Sequence, residues 1–556
     1  MIKILFLLVI FSIPVSWVHA DNQKVAIASA HPLATAAGFE IIAKGGNVYD
    51  AAVAVSAALA VVEPFGSGLG GGAYWLLHRE KDKLDVVIDG REKAPLAADK
   101  DMYLDKNGKV IPKLSLDGAL AAAIPGMPAG LVHLSEKYGR LTLADNLAPA
   151  VRYAKTGFAI GDRYLRNLKV RVDTIKQYPE TARIYLNKEQ NLPELYSILR
   201  QPDLADTLIN IAQHGRDGFY KGEVADKLVT SVAKAGGIWT QADLDAYQVI
   251  ERNPVVGNYK GIKVTSVPPS SSGGIALIET LNILAAYDLQ ALPKLTRKHL
   301  IVEAMRRAYH DRSLYLGDGD FISIPVERLL NMDYAAGLRS AIRFDKALSS
   351  DQLSGQIESQ HQGTNTTHFS IIDQEGNRVA ATLSINFIFG SAFVASGTGV
   401  VLNDEMDDFD SQPGAMNVYG LVGGIANAIA PSKRMLSSMT PTFLETDKEV
   451  AVLGTPGGSR IISMVLLAAL NFAEGKGPET WVNLPRFHHQ FMPDVIEYEP
   501  AALSEDEINT LKQMGHQLKE VPRPYGDMQA VLLNKHAKFL SAASDKRGEG
   551  TAQVSQ

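Results

Sequence analysis

The sequence predicts an α/β fold of stacked layers, α+β in arrangement, and three observations carry that prediction. A nearly all-apolar helical stretch at 50–63 is followed at once by two short strand patterns, 73–78 and 84–90. The middle of the chain has helical spacing, with Pro and Gly between the segments. After residue 365 the pattern returns to strands, at 366–373, 379–386 and 399–402. Strands with flanking helices in both halves bury their apolar faces by layering helix on sheet.

Taken in order, the N-terminus comes first. Met1-Ile2-Lys3 supplies a positive start, residues 4–18 are almost wholly apolar, and Val18-His19-Ala20 puts small side chains at signal-peptidase spacing. The stretch is short for a membrane span, contains Pro14, and lacks a following basic cluster. It reads as a signal peptide over 1–20, with the mature chain starting near Asp21 in a periplasmic or secreted protein. No other segment is long and apolar enough to span a bilayer.

Gly45-Gly46-Asn47 marks a turn before the buried helix, which Pro64 stops. A glycine cluster follows, Gly66-Ser67-Gly68-Leu69-Gly70-Gly71-Gly72, and then the two strands form a hairpin with Arg91 just beyond it. Residues 120–138, 144–156 and 275–289 have helical spacing. Residues 340–365 are polar and aperiodic, an expected exposed linker. Strand 449–454 and a helix over about 459–472 come later. From Ser544 the chain reads as a polar tail. There is no internal repeat.

Composition narrows the chemistry. The 556 residues are 46% hydrophobic and 21% charged, with a formal net charge of −6 and no long run of like charge. That gives no electrostatic footprint for nucleic acid. With no cysteine, disulfides, thiolate catalysis and Cys-ligated zinc are excluded. Gly66 to Gly71 formally fits G-x-G-x-x-G, but the helix precedes it and the strand follows, the reverse of a dinucleotide site. It reads instead as a loop where backbone approaches something closely. There is no H-E-x-x-H, and adjacent His488-His489 suit structural roles better than a metal. No G-x-S-x-G elbow is present. The reading calls for no metal and no cofactor.

Residues 363–386 are the distinctive stretch. Alternation puts Thr366, His368 and Ser370 on one strand face and Thr367, Phe369 and Ile371 on the other. Gly376-Asn377 marks the turn, and the return strand puts Thr382, Ser384 and Asn386 on one face. The hairpin therefore sets Ser384 or Asn386 roughly opposite Thr366. Alone, this pattern suits a structural Thr/Ser ladder. The linker before it adds a second possibility: cleavage of the Asn365–Thr366 bond would free an α-amine beside the Thr366 hydroxyl, where it acts as that hydroxyl's general base.

At this point the motifs resemble the γ-glutamyltranspeptidase family. They are Thr366-Thr367-His368-Phe369-Ser370, Leu402-Asn403-Asp404-Glu405-Met406-Asp407-Asp408-Phe409 and Pro456-Gly457-Gly458-Ser459-Arg460, with Gly45-Gly46-Asn47, Gly68-Leu69-Gly70-Gly71-Gly72 and Arg91-Glu92-Lys93-Ala94-Pro95. They span essentially the whole mature chain in order. The resemblance implies the αββα sandwich of N-terminal-nucleophile hydrolases. It implies a precursor that cuts itself before Thr366 into a large subunit, 21–365, and a small one, 366–556, which stay together. Thr366 would form a γ-glutamyl ester from glutathione or another γ-glutamyl compound, then pass the group to water or to an amino acid or peptide acceptor.

The same resemblance implies roles by position. Arg91 would hold the substrate α-carboxylate through a bidentate pair, helped by Ser437 and Ser438. Asn386, Glu405 and Asp408 would surround the α-amino group, two acids suiting a cationic amine. Gly457 and Gly458 would donate backbone N–H groups to the oxyanion. Residues 420–433 resemble the lid loop of some bacterial members, with Tyr419 as the aromatic that screens the pocket. Ser384 departs from the pattern, where members commonly carry Thr; it keeps the hydroxyl and loses the methyl that restricts the rotamer.

Three rivals frame this reading. A glutaryl or cephalosporin acylase would have no amine for Asp408 to bind. A lid would obstruct the polymer of a poly-γ-glutamate transpeptidase. An uncut, non-enzymatic binding protein would have no use for Thr366, the paired glycines and Arg91 together.

Overall fold

The computed structural model describes residues 24–353, 366–410, 421 and 423–555. The expected signal peptide, Asn365 and Tyr419 lie outside the described residues. Among the described residues, no helix is long and apolar enough to cross a membrane.

Two antiparallel sheets form the centre. Their strands are β1 (Val25–Ser29), β2 (Gly72–Arg79), β3 (Leu84–Gly90), β4 (Ile250–Arg252), β5 (Val255–Tyr259), β6 (Ile262–Ser266), β7 (Thr367–Asp373), β8 (Arg378–Ser384), β9 (Thr442–Glu445), β10 (Glu449–Gly454), β11 (Gln529–Asn534), β12 (Phe539–Ser544) and β13 (Thr551–Val554). The seven-stranded sheet runs β13-β1-β7-β8-β2-β3-β4, and the six-stranded sheet runs β12-β11-β10-β9-β6-β5. Strands from both sides of residue 366 interleave in the seven-stranded sheet and lie side by side in the six-stranded one, so neither half has a complete sheet of its own.

Alternation in β7 explains the layering. Phe369 and Ile371 turn outward to helices α1 (Pro32–Ala43) and α2 (Val48–Val62), in a core with Val53, Trp75 and Leu383. Ile372 turns inward with Tyr74 and Leu76, toward Phe443, Val452 and Val531 of the second sheet. Helices α6 (Gly273–Leu284), α7 (Lys294–Tyr315) and α8 (Arg460–Ala473) join that second core. The result is an α/β sandwich, helix layers outside two sheets. Helices α3 (Met127–Tyr138), α4 (Leu143–Thr156) and α5 (Asp162–Ile175) extend the first helix layer.

Helix α2 starts where the turn reading put it. The Asn47 side chain accepts from Tyr49 and Asp50 N–H, and the Asp50 carboxylate accepts from Asn47 N–H, a reciprocal capping box. All of α2 is buried, consistent with its unbroken apolar run.

The glycine cluster is a close approach of backbone to backbone. A Cβ on Gly70 would sit 2.0 Å from the Val401 carbonyl oxygen, and one on Gly71 2.0 Å from that of Ser384. Those contacts bring the loop against the end of β8 and the segment before Glu405.

Several expectations change. The helix expected over 120–138 begins at Met127, because Pro125-Gly126 break the spacing and residues 119–121 make a separate 3₁₀ turn. The helix expected over 275–289 is α6, which ends at Leu284. Asn386 leaves strand β8, which stops at Ser384, and takes a left-handed conformation at φ 67°. Asn tolerates that region, and its Nδ2 donates to the Asp404 carbonyl at 2.9 Å. The expected strand at 399–402 shrinks to Val400–Val401, paired only with Val394–Ala395. The polar tail is corrected too: Ser544 closes β12, and β13 pairs with β1 as an edge strand, whose exposed side accepts polar residues. Within the expected linker, residues 340–353 are ordered. Buried Ser350 donates to the Phe491 carbonyl and accepts from Arg306 Nη1 at 2.6 Å. Residues 354–365 lie outside the described residues.

Candidate active site

The strand that begins after Thr366 places that residue between the sheets. The β7–β8 register pairs Thr367 with Leu383 and His368 with Thr382, so one step further sets Thr366 across from Ser384. Thr366 keeps the same face as His368 and Ser370. Behind it, His368 Nδ1 meets Thr382 Oγ1 at 2.8 Å, its Nε2 meets Ser370 Oγ at 3.1 Å, and Ser370 donates to the Gln529 carbonyl. Burial lowers the His368 pKa to about 3, so the ring is neutral and one nitrogen donates while the other accepts. The hydroxyl ladder that the pattern alone suggested is therefore real, and it lies beneath Thr366. On the other face, Thr367 Oγ1 donates to Glu63 at 2.6 Å.

Thr366, Ser384, Asn386, Arg91, Asp408, Ser437, Ser438 and Gly458 line one small cavity of about 20 Å³. Leu421, Met439, Ser459 and Ile461 complete it. Eight expected positions, far apart in sequence, thus converge. Gly457 instead lines an adjoining cavity. Glu405 stands behind the wall, reached through Arg91.

Arg91 is the electrostatic centre. It is fully buried, with Nη1 2.8 Å from Glu405, Nη2 2.5 Å from Asp408, and Nη1 3.5 Å from Glu92. Burial disfavours the guanidinium charge, but the three carboxylates outweigh it and hold its pKa above the ordinary arginine value. Burial and the charge of Glu405 push Glu92 well above the usual carboxylate range. Burial likewise raises Glu405, opposed by Arg91 and by a hydrogen bond from Ser384. The cluster has one guanidinium for three carboxyls; with Glu92 held protonated, one further cation balances it.

Local geometry fixes the remaining groups. The N–H groups of Asn386 and Glu405 are taken by Ser384 Oγ at 2.8 Å and Asn403 Oδ1 at 2.9 Å. Asn403 Nδ2 reaches back to the Gly70 and Ala123 carbonyls, each at 2.7 Å, so the acidic turn hangs on the glycine loop. Ser437 Oγ accepts from Met439 N–H at 3.0 Å, and Ser438 Oγ faces Arg312 Nη2 at 3.4 Å. Gly457 and Gly458 have φ of 145° and 58°, values that side chains resist. Of the expected lid, the described part is anchored at its far end: Ala94 and Lys433 share a backbone bond at 2.8 Å, and Lys433 Nζ donates to the Ala426 and Ala428 carbonyls.

Sequence reasoning missed two residues here. Glu92 was visible only as part of a motif; its direct contact with Arg91 needs the fold. Arg312 lies mid-helix in α7 with no local signal, yet its Nε donates to Ser272 Oγ at 3.0 Å beside Ser438. His488 and His489 make separate buried contacts, to Ser463 and Gln490 and to Asp494 respectively. Away from the site, His299, Glu303 and His516 put ligand-type atoms within 4.8 Å of one another. There Arg306 and Arg307 both engage Glu303, and the two rings bond each other at 2.8 Å.

Comparisons with known proteins agree with this geometry. Residues 34–555 match the Gamma-glutamyltranspeptidase family. The chain is 43% identical over 550 residues to a glutathione hydrolase proenzyme of Pseudomonas sp. strain A14, covering 96% of this chain and 94% of that one. The crystal structure of cephalosporin acylase from Bacillus halodurans superposes with a TM-score of 0.84 at 26% identity, covering 96% of both chains. A Helicobacter pylori gamma-glutamyltranspeptidase chain superposes with a TM-score of 0.57 at 42% identity, over 61% of this chain and 97% of its own length.

Proposed function

This chain belongs to the γ-glutamyltranspeptidase family, and from that premise we propose that it is a self-processing γ-glutamyltransferase that also hydrolyses glutathione. The observation that carries the reading is the Arg91 cluster. A γ-glutamyl compound presents an α-carboxylate and an α-ammonium side by side. Its carboxylate replaces Glu405 and Asp408 on Arg91, helped by Ser437 and Ser438, while its ammonium replaces Arg91 on those acids, with Asn386 beside it. Every buried charge keeps a partner. A glutaryl side chain brings the carboxylate alone and strips the acids of their cation. That imbalance disfavours the acylase reading, although the acylase fold is the same.

Chemistry then falls to Thr366. Cleavage of the Asn365–Thr366 bond divides the chain into 21–365 and 366–556 and frees the Thr366 α-amine. The 61% of this chain matched by the H. pylori chain is about the share of residues 21–365, which supports that division. The amine takes the proton of Thr366 Oγ as it attacks the γ-carbonyl. Backbone N–H groups of Gly457 and Gly458 stabilise the oxyanion. Collapse expels the amine of the leaving group, protonated by the Thr366 ammonium, and leaves a γ-glutamyl ester. Water or an amino acid or peptide acceptor then attacks that ester by the same route in reverse. Residues 1–20 direct export.

Denaturing electrophoresis with N-terminal sequencing, alongside turnover of γ-glutamyl-p-nitroanilide, tests the reading. Two fragments, the smaller beginning at Thr366, and release of nitroaniline are expected. Thr366→Ala should remain one chain and release none. A single active chain would overturn the assignment.

A further inference from the structure

A second cavity, about 340 Å³, adjoins the first and is lined by five arginines and no carboxylate. That volume lies in the range of small-ligand sites. The arginines come from both sides of the cleavage point: Arg163 and Arg166 on α5, and Arg460, Arg523 and Arg547. Three are neutralised from behind. Arg163 pairs with Asp527 and with Glu63 at 3.1 Å, Arg460 with Glu497 at 2.5 Å, and Arg547 with Glu499 at 2.7 Å and Asp545 at 3.0 Å. Arg166 and Arg523 are exposed and make no ion pair among the described residues. An exposed arginine is ordinarily just solvated. Two of them, without ion pairs, over one concave wall are a different case, because charge of one sign in a cleft concentrates its field.

Position ties this cavity to the reaction. Gly457 lines it and Gly458 lines the Thr366 cavity, so neighbouring residues of one loop face both spaces. On another wall, Arg163 reaches Glu63, which accepts from Thr367, the residue next to Thr366. A leaving group that passed the glycine loop on its Gly457 side would meet the arginines.

We propose that this cavity holds the C-terminal carboxylate of the peptide portion of the substrate, with Arg166 and Arg523 as its ligands. The inference rests on the γ-glutamyl reading above and names the class of leaving group and acceptor. Leaving group and acceptor bond the same carbonyl through their nitrogen, so one subsite serves both. Peptides with a free C-terminus are favoured over uncharged amines.

The test compares two donors, glutathione, which ends in a carboxylate, and γ-glutamyl-p-nitroanilide, which does not. In the Arg166→Ala/Arg523→Ala variant, KM for glutathione should rise about tenfold or more, the loss of charge-assisted hydrogen bonds. Anilide KM and kcat should stay at wild-type values, and a C-terminally amidated γ-glutamyl peptide should be insensitive to the substitutions. Arg166→Lys/Arg523→Lys should restore part of the glutathione KM. Equal effects on both donors, or none on either, would overturn the subsite. A wild-type enzyme that turns over neither donor would overturn the γ-glutamyl reading, and the subsite with it.

Discussion

Ser384 stands across from Thr366 at the end of the β7–β8 ladder, and its hydroxyl is already engaged on two sides. It accepts the Asn386 N–H at 2.8 Å and lies beside the Glu405 carboxyl, whose pKa it lowers. A hydroxyl oxygen has two lone pairs, so one stays open after the Asn386 bond. That oxygen is suited to an amine or hydroxyl proton of Thr366. Ser384→Ala removes that acceptor and should slow both self-cleavage and turnover about tenfold or more, the worth of one hydrogen bond in a barrier. Ser384→Thr should restore both, because it returns the hydroxyl and restricts its rotamer. Fragment appearance on a gel over time, with anilide turnover of the matured enzyme, measures the two effects. Normal cleavage in Ser384→Ala would remove Ser384 from the processing step.

Arg91 should be intolerant of lysine. Its two terminal nitrogens contact Glu405 and Asp408 at 2.8 and 2.5 Å, a fork that one ammonium does not reproduce. Arg91→Lys leaves at least one charge-assisted hydrogen bond unmade in the substrate complex, about 1.5–3 kcal/mol. KM for γ-glutamyl donors should rise about ten- to hundredfold, with a smaller change in kcat. Steady-state kinetics checks the split. A fall in kcat at constant KM would place Arg91 in the transition state instead of in binding.

Much of this was legible in the sequence, and the rest has physical reasons for being hidden. Alternation from Thr366 to Ile371 gave the correct faces because a buried strand obeys a strict two-residue period. Asn386 escaped that logic, since the chain leaves the strand two residues earlier and only the fold fixes where its amide goes. The edge strand Thr551–Val554 read as a tail because one of its sides faces water. Arg91, Glu405 and Asp408 were recognisable through motifs, but composition could not say that they bind one another before substrate arrives. Arg312 and Glu92 act through contacts made by elements far away in the chain, which no local pattern records.

Glu405 should set a pH limit on substrate binding. Burial and the charge of Asp408 raise its pKa above the ordinary glutamate value, while Arg91 and Ser384 pull it down. An acid with a raised pKa is protonated, and blind to an ammonium, at pH values where an ordinary glutamate is ionised. As pH falls through that raised pKa, kcat/KM for γ-glutamyl-p-nitroanilide should fall with it. Glu405→Gln should lower the plateau and abolish this limb. A free α-amine also titrates near neutrality, ordinarily at about 7.7–8.0, so the comparison separates the two groups. A limb that survives unchanged in Glu405→Gln does not belong to Glu405.

The two sheets approach closely beneath Thr366, and a single methyl there should disturb it. Gly454 ends β10 and faces His368 of β7; a Cβ on Gly454 would lie 2.2 Å from His368 Cε1 and 2.5 Å from its Nδ1. Those distances are well inside van der Waals contact, so the ring must move. Its Nδ1 partner is Thr382 and its Nε2 partner is Ser370, both buried, so displacement leaves polar atoms without bonds. Gly454 does not adopt a positive φ, so alanine brings packing strain without backbone strain. Gly454→Ala should cost about 1–3 kcal/mol, the usual range for overpacking a core, seen as a lower melting temperature. Because His368 shares its strand face with Thr366, kcat and the rate of self-cleavage should fall by more than KM rises. If stability drops but kcat holds, the His368 ladder supports the sheets without aligning Thr366; if neither moves, the two sheets separate freely at this point.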